Sequence, residues 1–553
     1  MIIRAFKNLN SIFDFFEPFY RKNRKYVILS VIFTFFHKLM AALLPILIKL
    51  LVDTIEKGTN FKQFVFYSEV NIVSVLVFLL VLFLRYFFES RTEALVSTDI
   101  KRNMIEHILG ADYLSLHKEE TGYFLERQYA DLQNIKNLII HDPALFLINI
   151  LYVGAIALIM FRLNAILFLA LLTVLPIFLV ISRILLPRLK ALQSKTLTTE
   201  EEINSFTEES VAGAYHIKAN NVESVFKRKL SELMSKYLGL NLSYATMDIL
   251  YDLILFTGIM NVSNLIVYIL GGYSVFHGTF TIGGLFAFTI YFSNLWEALE
   301  FYTQFPKELK IGTLSINRIE DLLSVPQEQD GQIPLLEPIE TIELRNVYFS
   351  YGDRQLLRDV NMTIHRNEKI GIVGPNGSGK STLCNLLTRI VTPTKGSILI
   401  NGRAYTVFTK ESLRSRIILI PQEPYIFRGT LEENLNPLGE KIKDSYGGIE
   451  VEAVIKDKEK DKTLKNSSGM FSGGEKKLIQ LIRGINRNGD VYILDEPLAF
   501  VDKDYRELIL QLLKTEFSDK TLIIVSHQAP LEKICDQVYT ITTEGSVTKS
   551  RNT

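Results

Sequence analysis

The sequence predicts an all-α membrane domain of six helices followed by an α/β domain built on a parallel core sheet. Three observations carry that prediction. Long stretches hold no Asp, Glu, Lys or Arg: 44 residues from Leu253 to Trp296, 19 from Pro143 to Phe161 and 20 from Leu163 to Ser182. The composition changes after Glu320, where Pro326, Gln327, Gln329, Gly331, Pro334 and Pro338 mark a linker. Beyond the linker, short apolar strands alternate with helical segments. The expected organisation is an N-terminal cytoplasmic or interfacial segment over 1–25, a transmembrane domain over 26–320, a linker over 321–340 and a second domain over 341–553.

The overall balance excludes several classes. The 553 residues carry 61 Lys+Arg against 60 Asp+Glu, a net charge of +1, so the broad basic field of a nucleic-acid binder is missing. The long charge-free stretches exclude a purely soluble enzyme, and the apolar fraction of 48% with a mean hydropathy of +0.18 excludes a disordered chain. Only Cys384 and Cys535 occur, too few for a disulfide scaffold or a cysteine metal cluster. No cysteine precedes Cys384, so a fused N-terminal cysteine-peptidase domain is not expected. Arg4, Lys7, Arg21, Lys22, Arg24 and Lys25 precede the first span without a small-residue cleavage site, which reads as a retained segment.

Each membrane element follows from the need for roughly 20 apolar residues per span. Spans are expected at about 26–52, 66–88, 138–161, 163–187, 247–271 and 279–303. The connections near Asp53–Gln63, Phe161–Asn164 and Gly271–Thr281 are short, whereas Glu89–Asn137 and Pro187–Thr246 are long. The second long connection holds Arg188, Lys190, Lys195, Lys218, Lys227, Arg228, Lys229 and Lys236, against Lys57, Lys62 and Arg162 in the short ones. Lys and Arg near span ends mark the cytoplasmic side, so the long connections and both chain ends face inward. Phe13, Phe15, Phe16, Phe19 and Tyr20 among Asp14, Glu17 and Arg21 predict a helix lying in the interface. Ser97–Leu109 and Thr196–Phe226 keep an apolar residue every three or four positions, which extends the membrane helices into the cytoplasm.

In the second domain, Ile342–Tyr351 and Asn361–Ile364 alternate like strands, and Lys369–Val373 reads as a buried strand. Further strands are expected at Ser397–Ile400, Ile417–Pro421, Val491–Leu494 and Thr521–Val525, with a helix over Ser381–Ile390. Between the Lys369–Val373 strand and that helix stands Gly374-Pro375-Asn376-Gly377-Ser378-Gly379-Lys380-Ser381-Thr382. This fits the phosphate-binding loop G-x-x-x-x-G-K-[ST], in which glycines turn backbone N–H groups toward phosphates and the helix N-terminus adds its positive end. Lys380 then reaches the outer phosphates and Ser381 suits a Mg²⁺ ligand. Val491–Leu494 runs into Asp495 and Glu496, an apolar strand ending in two carboxylates. That pattern assigns Asp495 to Mg²⁺ through water and Glu496 to the general base on an attacking water. The domain therefore reads as a P-loop NTPase.

Six spans followed by one such domain resemble a half-transporter of the ATP-binding cassette (ABC) exporter family over nearly the whole chain. The most discriminating segment is Phe471-Ser472-Gly473-Gly474-Glu475, which resembles the family signature L-S-G-G-Q. In the family this helix start grips the γ-phosphate of ATP held by the other subunit, so the resemblance implies a second half-transporter as partner. Glu475 stands where the family has Gln, Phe471 where it has Leu, and Leu464–Gly469 lacks the family's acidic segment. The resemblance also implies adenine stacking by Tyr351, a Mg²⁺ contact from Gln422, an acidic D-loop residue in Asp502 and a γ-phosphate switch in His527. Gly122 with Asp131, and Gly213 with Ile217 and Lys218, resemble the two coupling regions.

Polar residues within spans are the handle on cargo, because a mid-membrane Lys or Asp costs roughly 2.5–3.5 kcal/mol on insertion scales. His37, Lys38, Asp252, Trp296 and Glu297 are the candidate cavity residues, with Asp248 four residues from Asp252 on one helix face. Cation binding in an inward cavity and ion pairing between helices both remain open readings. The expected activity is ATP-hydrolysis-driven export of an amphipathic substrate, whether peptide, lipid or hydrophobic compound. Alternating access would operate in a dimer, either two copies or a heterodimer, embedded in membrane lipid. An ATP-gated channel or signalling subunit, and an importer on the same fold, are the alternatives.

Overall fold

The computed structural model describes residues 2–58, 60–116, 124, 127–139, 141–439, 443, 445–446, 449–450, 471–499, 501–526 and 534–550. They form two compact units, one of Met1–Glu106 with Thr121–Ser324, the other of His107–Glu120 with Val325–Thr553.

The first unit is helical throughout. A helix over Ile2–Lys22 buries Phe15, Phe16 and Phe19. The long helices follow at Arg24–Lys57, Phe61–Gly110 and His141–Leu163. Ala165–Leu172 continues past Thr173 as Val174–Ala212. Glu223–Asp252 runs through a π turn at Leu253–Gly258 into Ile259–Phe276, and Ile282–Leu323 is last. The expected spans coincide with helices except at Asn164, Thr173 and Thr279–Thr281, and residue 140 of the third lies outside the described residues. Among the described residues, five helices are long and apolar enough to cross a membrane by length and composition. The sixth, Ile282–Leu323, has the length but carries Ser293, Asn294 and Glu297 within its apolar part. The 50 residues of Phe61–Gly110 correspond to about 75 Å at 1.5 Å per residue, well beyond a bilayer. Leu76, Leu80 and Phe83 are exposed, as expected of a surface solvated by lipid tails.

Packing in this unit centres on Tyr152, Ile156, Phe178, Phe288, Tyr291 and Trp296. The buried Tyr291 hydroxyl donates to the Ala42 carbonyl at 2.5 Å, because a buried O–H requires a partner. Arg85 pairs with Glu89 at 2.8 Å, and Thr34 donates to the same carboxylate at 3.0 Å. Such shared acceptors compensate charges that lipid could not solvate.

The second unit holds two larger sheets and a two-stranded one made by β7 (Ser445–Tyr446) and β8 (Ile449–Glu450). Strands β1 (Thr341–Tyr351), β2 (Arg354–His365), β4 (Lys395–Ile400) and β5 (Arg403–Ala404) form an antiparallel sheet in the order β2-β1-β4-β5. The core sheet runs β12-β11-β3-β10-β9-β6, from β3 (Lys369–Val373), β6 (Ile417–Ile420), β9 (Val491–Asp495), β10 (Thr521–Val525), β11 (Gln537–Ile541) and β12 (Val547–Ser550). Five of the six are parallel and only β12 is antiparallel. β9 and β10 are buried along their whole length, which is why they read as continuous apolar runs. The carboxyl ends of β3, β6, β9 and β10 therefore share one edge, where ligands bind in open α/β sheets.

Three features differ from the sequence reading. β2 begins at Arg354 instead of Asn361, because it pairs with β1 from Tyr351↔Arg354 to Thr341↔His365. The helix after the phosphate loop spans Lys380–Leu387, ending at Thr388 before Arg389 in left-handed backbone (φ 54). Of the segment after Glu106, the described residues His107–Leu116 group with the α/β unit, whereas the sequence reading placed them in the membrane domain. There, His107 Nε2 meets the Val325 carbonyl at 2.9 Å, and the linker carbonyl of Pro326 accepts from the Asp112 N–H at 2.8 Å. Linker backbone groups need partners, and this segment supplies them.

Candidate functional site

The phosphate loop is shaped by contacts that exclude side chains. A Cβ on Gly374 would lie 2.5 Å from the Ile541 carbonyl oxygen. Gly379 has φ +99, and a Cβ there would meet Leu357 Cδ2 at 3.0 Å. Asn376 and Gly377 are exposed at the tip, Ser378, Lys380 and Thr382 are buried beneath it, and Ser381 is exposed at the helix start. Lys380 Nζ donates to the Gly374 carbonyl at 3.0 Å and the Pro375 carbonyl at 2.9 Å. Burial pushes its pKa down, against the pull of Glu496, Asp495 and Cys384 in the other direction. The Ser378 hydroxyl is buried without a hydrogen-bond partner. An orphaned donor inside a glycine cradle fits a phosphate oxygen.

The carboxylates stand at the neighbouring strand end. Asp495 closes β9 at 6% exposure. Glu496 takes left-handed backbone, φ 47, an unfavourable conformation for a residue with a Cβ. Its N–H donates to the Val525 carbonyl at 2.9 Å, which fixes the turn. Its carboxylate Oε2 accepts from Gln422 Nε2 at 2.9 Å, just beyond the end of β6. Lys380, Gln422, Asp495 and Glu496 thus meet at one sheet edge, with oxygen donors of the kind a hard cation requires.

Ser472 caps the helix Gly473–Asn486 in a reciprocal box. Ser472 Oγ accepts from the Glu475 N–H at 3.2 Å, while the Glu475 carboxylate accepts from the Ser472 N–H at 2.7 Å. The substituted residue of the signature therefore caps its own helix. Gly474 is tight against Tyr505, whose ring carbons lie 2.6 Å from a built Cβ.

Among the remaining expectations, Tyr351 is half-buried, edge-on to Phe349 at 4.8 Å. Asp502 stands before the helix Lys503–Thr515 without a side-chain cap bond. Gly213 precedes the short helix Ala214–Ala219, and Asp131 is buried, accepting from Ser315 at 2.7 Å. His527, Gly122 and Leu464–Gly469 lie outside the described residues.

The five cavity candidates divide among several settings. Lys38 Nζ sits 4.9 Å from the centre of the Tyr152 ring. His37 Nδ1 lies 3.3 Å from Arg85 Nη1, with its ring against Phe78. Trp296 is buried edge-on to Phe178 at 5.5 Å, so it belongs to the packed core of its unit. Asp252 and Glu297 are exposed.

Sequence reasoning missed Lys477. It is 2% exposed, and its Nζ donates to the carbonyls of Pro421 at 3.1 Å and Gln422 at 2.8 Å. Burial pushes its pKa down to about 8, with Asp495 and Glu496 opposing. Helical periodicity offers a signal, since Lys477 shares a face with Leu481 and Gly484.

Known proteins match this arrangement. Residues 27–299 match the family model of the ABC transporter transmembrane region, and residues 357–499 that of the ABC transporter. A probable multidrug resistance ABC transporter ATP-binding/permease protein, YheH of Bacillus subtilis (strain 168), is 25% identical over 451 residues. That alignment spans 79% of this chain and 67% of YheH. The LcnC-like lactococcin transport/processing protein of Lactococcus lactis subsp. lactis (strain IL1403) is 26% identical over 466 residues, 82% of this chain and 64% of that relative. The toxin RTX-I translocation ATP-binding protein of Actinobacillus pleuropneumoniae is 23% identical, covering 95% of this chain and 76% of its own length. A solved bacterial Atm1-family ABC exporter with ATP bound superposes with TM-score 0.74 at 18% identity, over 95% of this chain and 94% of that one, a likeness of fold. With a helical membrane region and a P-loop ATPase domain in a single polypeptide, the chain belongs to the ABC transporters, with the fold of an exporter half-transporter.

Proposed function

We propose that this chain exports an amphipathic substrate across a membrane at the expense of ATP hydrolysis, acting as one half of a dimer. The observation that carries the reading is the meeting of Lys380, Gln422, Asp495 and Glu496 at one sheet edge, in a chain with helices long enough to span a bilayer. Loop N–H groups and Lys380 would bind the β- and γ-phosphates, and Tyr351 would stack on the adenine. Ser381 and Gln422 would hold Mg²⁺, and Asp495 would do so through water; the ion neutralises phosphate charge. Glu496 takes the proton from the attacking water, and His527 would respond to the γ-phosphate. Ser472, Gly473 and Gly474 of one chain would close on the nucleotide of the other, with Glu475 as that surface's acidic member. Binding of ATP between two copies favours one orientation of the cavity and hydrolysis releases it, a population shift by differential affinity.

The excess of Lys and Arg in the long connections supports a cytoplasmic nucleotide domain, and the bacterial relatives support a bacterial cell membrane. Their names, which include multidrug resistance, lactococcin transport and toxin translocation, support peptides and hydrophobic compounds as cargo classes. Lys38 and Glu297 are the residues of the membrane unit to test for cargo contact.

The test is reconstitution of the purified chain into sided vesicles with Mg-ATP. Cargo-stimulated hydrolysis together with uphill flux is the expected result. ATP-gated passive conductance without uphill flux would overturn the reading in favour of a channel.

A further inference from the structure

No described Lys or Arg is less exposed than Lys477, yet the proposed reaction assigns it no part. On the helix Gly473–Asn486, Lys477, Gln480 and Arg483 recur every three residues. All three donate to the backbone of one segment, the stretch that leaves β6. Lys477 Nζ takes the carbonyls of Pro421 and Gln422 at 3.1 and 2.8 Å, Gln480 Nε2 that of Glu423 at 3.3 Å, and Arg483 Nη1 that of Tyr425 at 2.9 Å. One helix thus holds four of the five carbonyls from Pro421 to Tyr425.

Lys477 bears the largest cost in this ladder. A buried ammonium without a contacting carboxylate is unfavourable, and Lys477 makes no ion pair among the described residues. An apolar side chain at this position would avoid that cost and leave two carbonyls unpaired instead. Gln422 is the residue whose main-chain carbonyl Lys477 holds and whose side chain donates to Glu496 at 2.9 Å. The connection therefore runs without a gap from signature helix to ammonium, to Gln422 backbone, to Gln422 amide, to carboxylate.

We propose that Lys477 is a positioning residue for ATP hydrolysis, fixing Gln422 against Glu496 and thereby coupling the signature helix to the base of its own chain. The inference rests on Glu496 being that base. Freed of the ammonium, the Gln422 backbone shifts, and a shift of about 1 Å at a positioning group costs up to a hundredfold in rate. Nucleotide affinity is set by the phosphate loop and stays the same.

The full-length protein in nanodiscs, as wild type, K477M, K477Q, Q422A and K477M/Q422A, tests this. K477M is expected to lower kcat at least about tenfold with KM for ATP within about threefold, and K477Q, which keeps an N–H donor, to recover part of the loss. Q422A and K477M are expected to be non-additive, because they break one connection in series. Hydrogen exchange in the peptide spanning 417–427 is expected to rise in K477M and not in K477Q. Wild-type kcat in K477M, additive effects in the double variant, or unchanged exchange in 417–427 would overturn the proposal. If the wild type itself hydrolyses no ATP, the export reading fails, while the exchange comparison still decides whether Lys477 holds the segment.

Discussion

Replacing Glu496 by Gln removes one proton acceptor and, of the two carboxylate charges near Lys380, the one that pulls harder on it. The amide is isosteric with the carboxylate, and its oxygen can still accept from Gln422 Nε2, now 2.9 Å from Oε2. The bond from the Glu496 N–H to the Val525 carbonyl, 2.9 Å, and the left-handed turn do not depend on the side-chain charge. Asp495 remains at 6% exposure to oppose the burial of Lys380, so the phosphate loop keeps the second of its two carboxylate counter-charges. What disappears is general-base catalysis, worth about 10²–10⁴ in rate, or about 2.7–5.4 kcal/mol of barrier. Steady-state phosphate release should therefore fall at least about a hundredfold, while titration with a fluorescent ATP analogue gives a Kd within about threefold of wild type. Turnover within threefold of wild type would show that another group takes the proton. Loss of affinity in step with turnover would place Glu496 in nucleotide binding instead.

Other perturbations have equally direct readouts. Gln in place of Glu475 preserves the reciprocal cap, since either residue can close it, and removes a negative charge from the helix start. Thermal stability should drop by about 0.3–1 kcal/mol through the helix dipole, while KM for ATP falls severalfold; an unchanged or raised KM would contradict an anion-facing signature. Ala in place of Gly379 forces a side chain into φ +99, 3.0 Å from Leu357, at about 1–3 kcal/mol, and should weaken ATP binding at least about fivefold by titration. Glu328 accepts from Arg414 at 2.8 and 3.0 Å and pairs with Lys410 at 3.2 Å. Burial pushes its carboxyl up, but these partners outweigh burial and hold it below the usual range. Its contribution, about 1.5–3 kcal/mol, is therefore present above the ordinary carboxylate pKa and disappears as pH falls through the lowered one. Unfolding of E328Q should match wild type at low pH and fall below it at neutral pH, and a pH-independent difference would refute the assignment.

The parts of the site that sequence exposes are those confined to contiguous residues. Gly374 to Thr382 is readable because backbone turn, lysine and helix start follow each other in one stretch, and each residue type has a local reason. Asp495 and Glu496 are readable because a buried parallel strand has to end before two carboxylates. Lys477 is hidden because its partners lie 55 and 56 positions away: periodicity marks its place on the buried face of the helix, not the carbonyls it meets there. The same holds for His107–Asp112, whose ties to Val325, Pro326 and Glu328 depend on tertiary pairing of an otherwise ordinary helix end. β2 falls between these cases. Its Asn361–Ile364 end alternates visibly, whereas Arg354–Asp359 becomes a strand only because β1 lies alongside.

In both proposed anion receptors of this domain, apart from the orphaned Ser378 hydroxyl, the donors named above are already held by their own chain, which bears on how nucleotide would act. Lys380 holds the carbonyls of Gly374 and Pro375, and the Ser472 and Glu475 N–H groups each meet an internal oxygen in the capping box. A phosphate entering the first receptor has to exchange the two carbonyl contacts of Lys380 for its own oxygens, which is favourable because the new bonds are charge-assisted on both sides. A phosphate meeting the signature would displace the Glu475 carboxylate that already accepts from the Ser472 N–H, so the exchange there would be close to neutral. The first receptor therefore supplies affinity. The second adds free energy only insofar as Glu475 is moved or neutralised, which makes it the more sensitive of the two to what faces it from the other half-transporter. Pairing this chain with a copy bearing E475Q should accordingly change ATP-dependent association more than it changes ATP affinity. Equal changes in both would mean that the two receptors do not divide the work in this way.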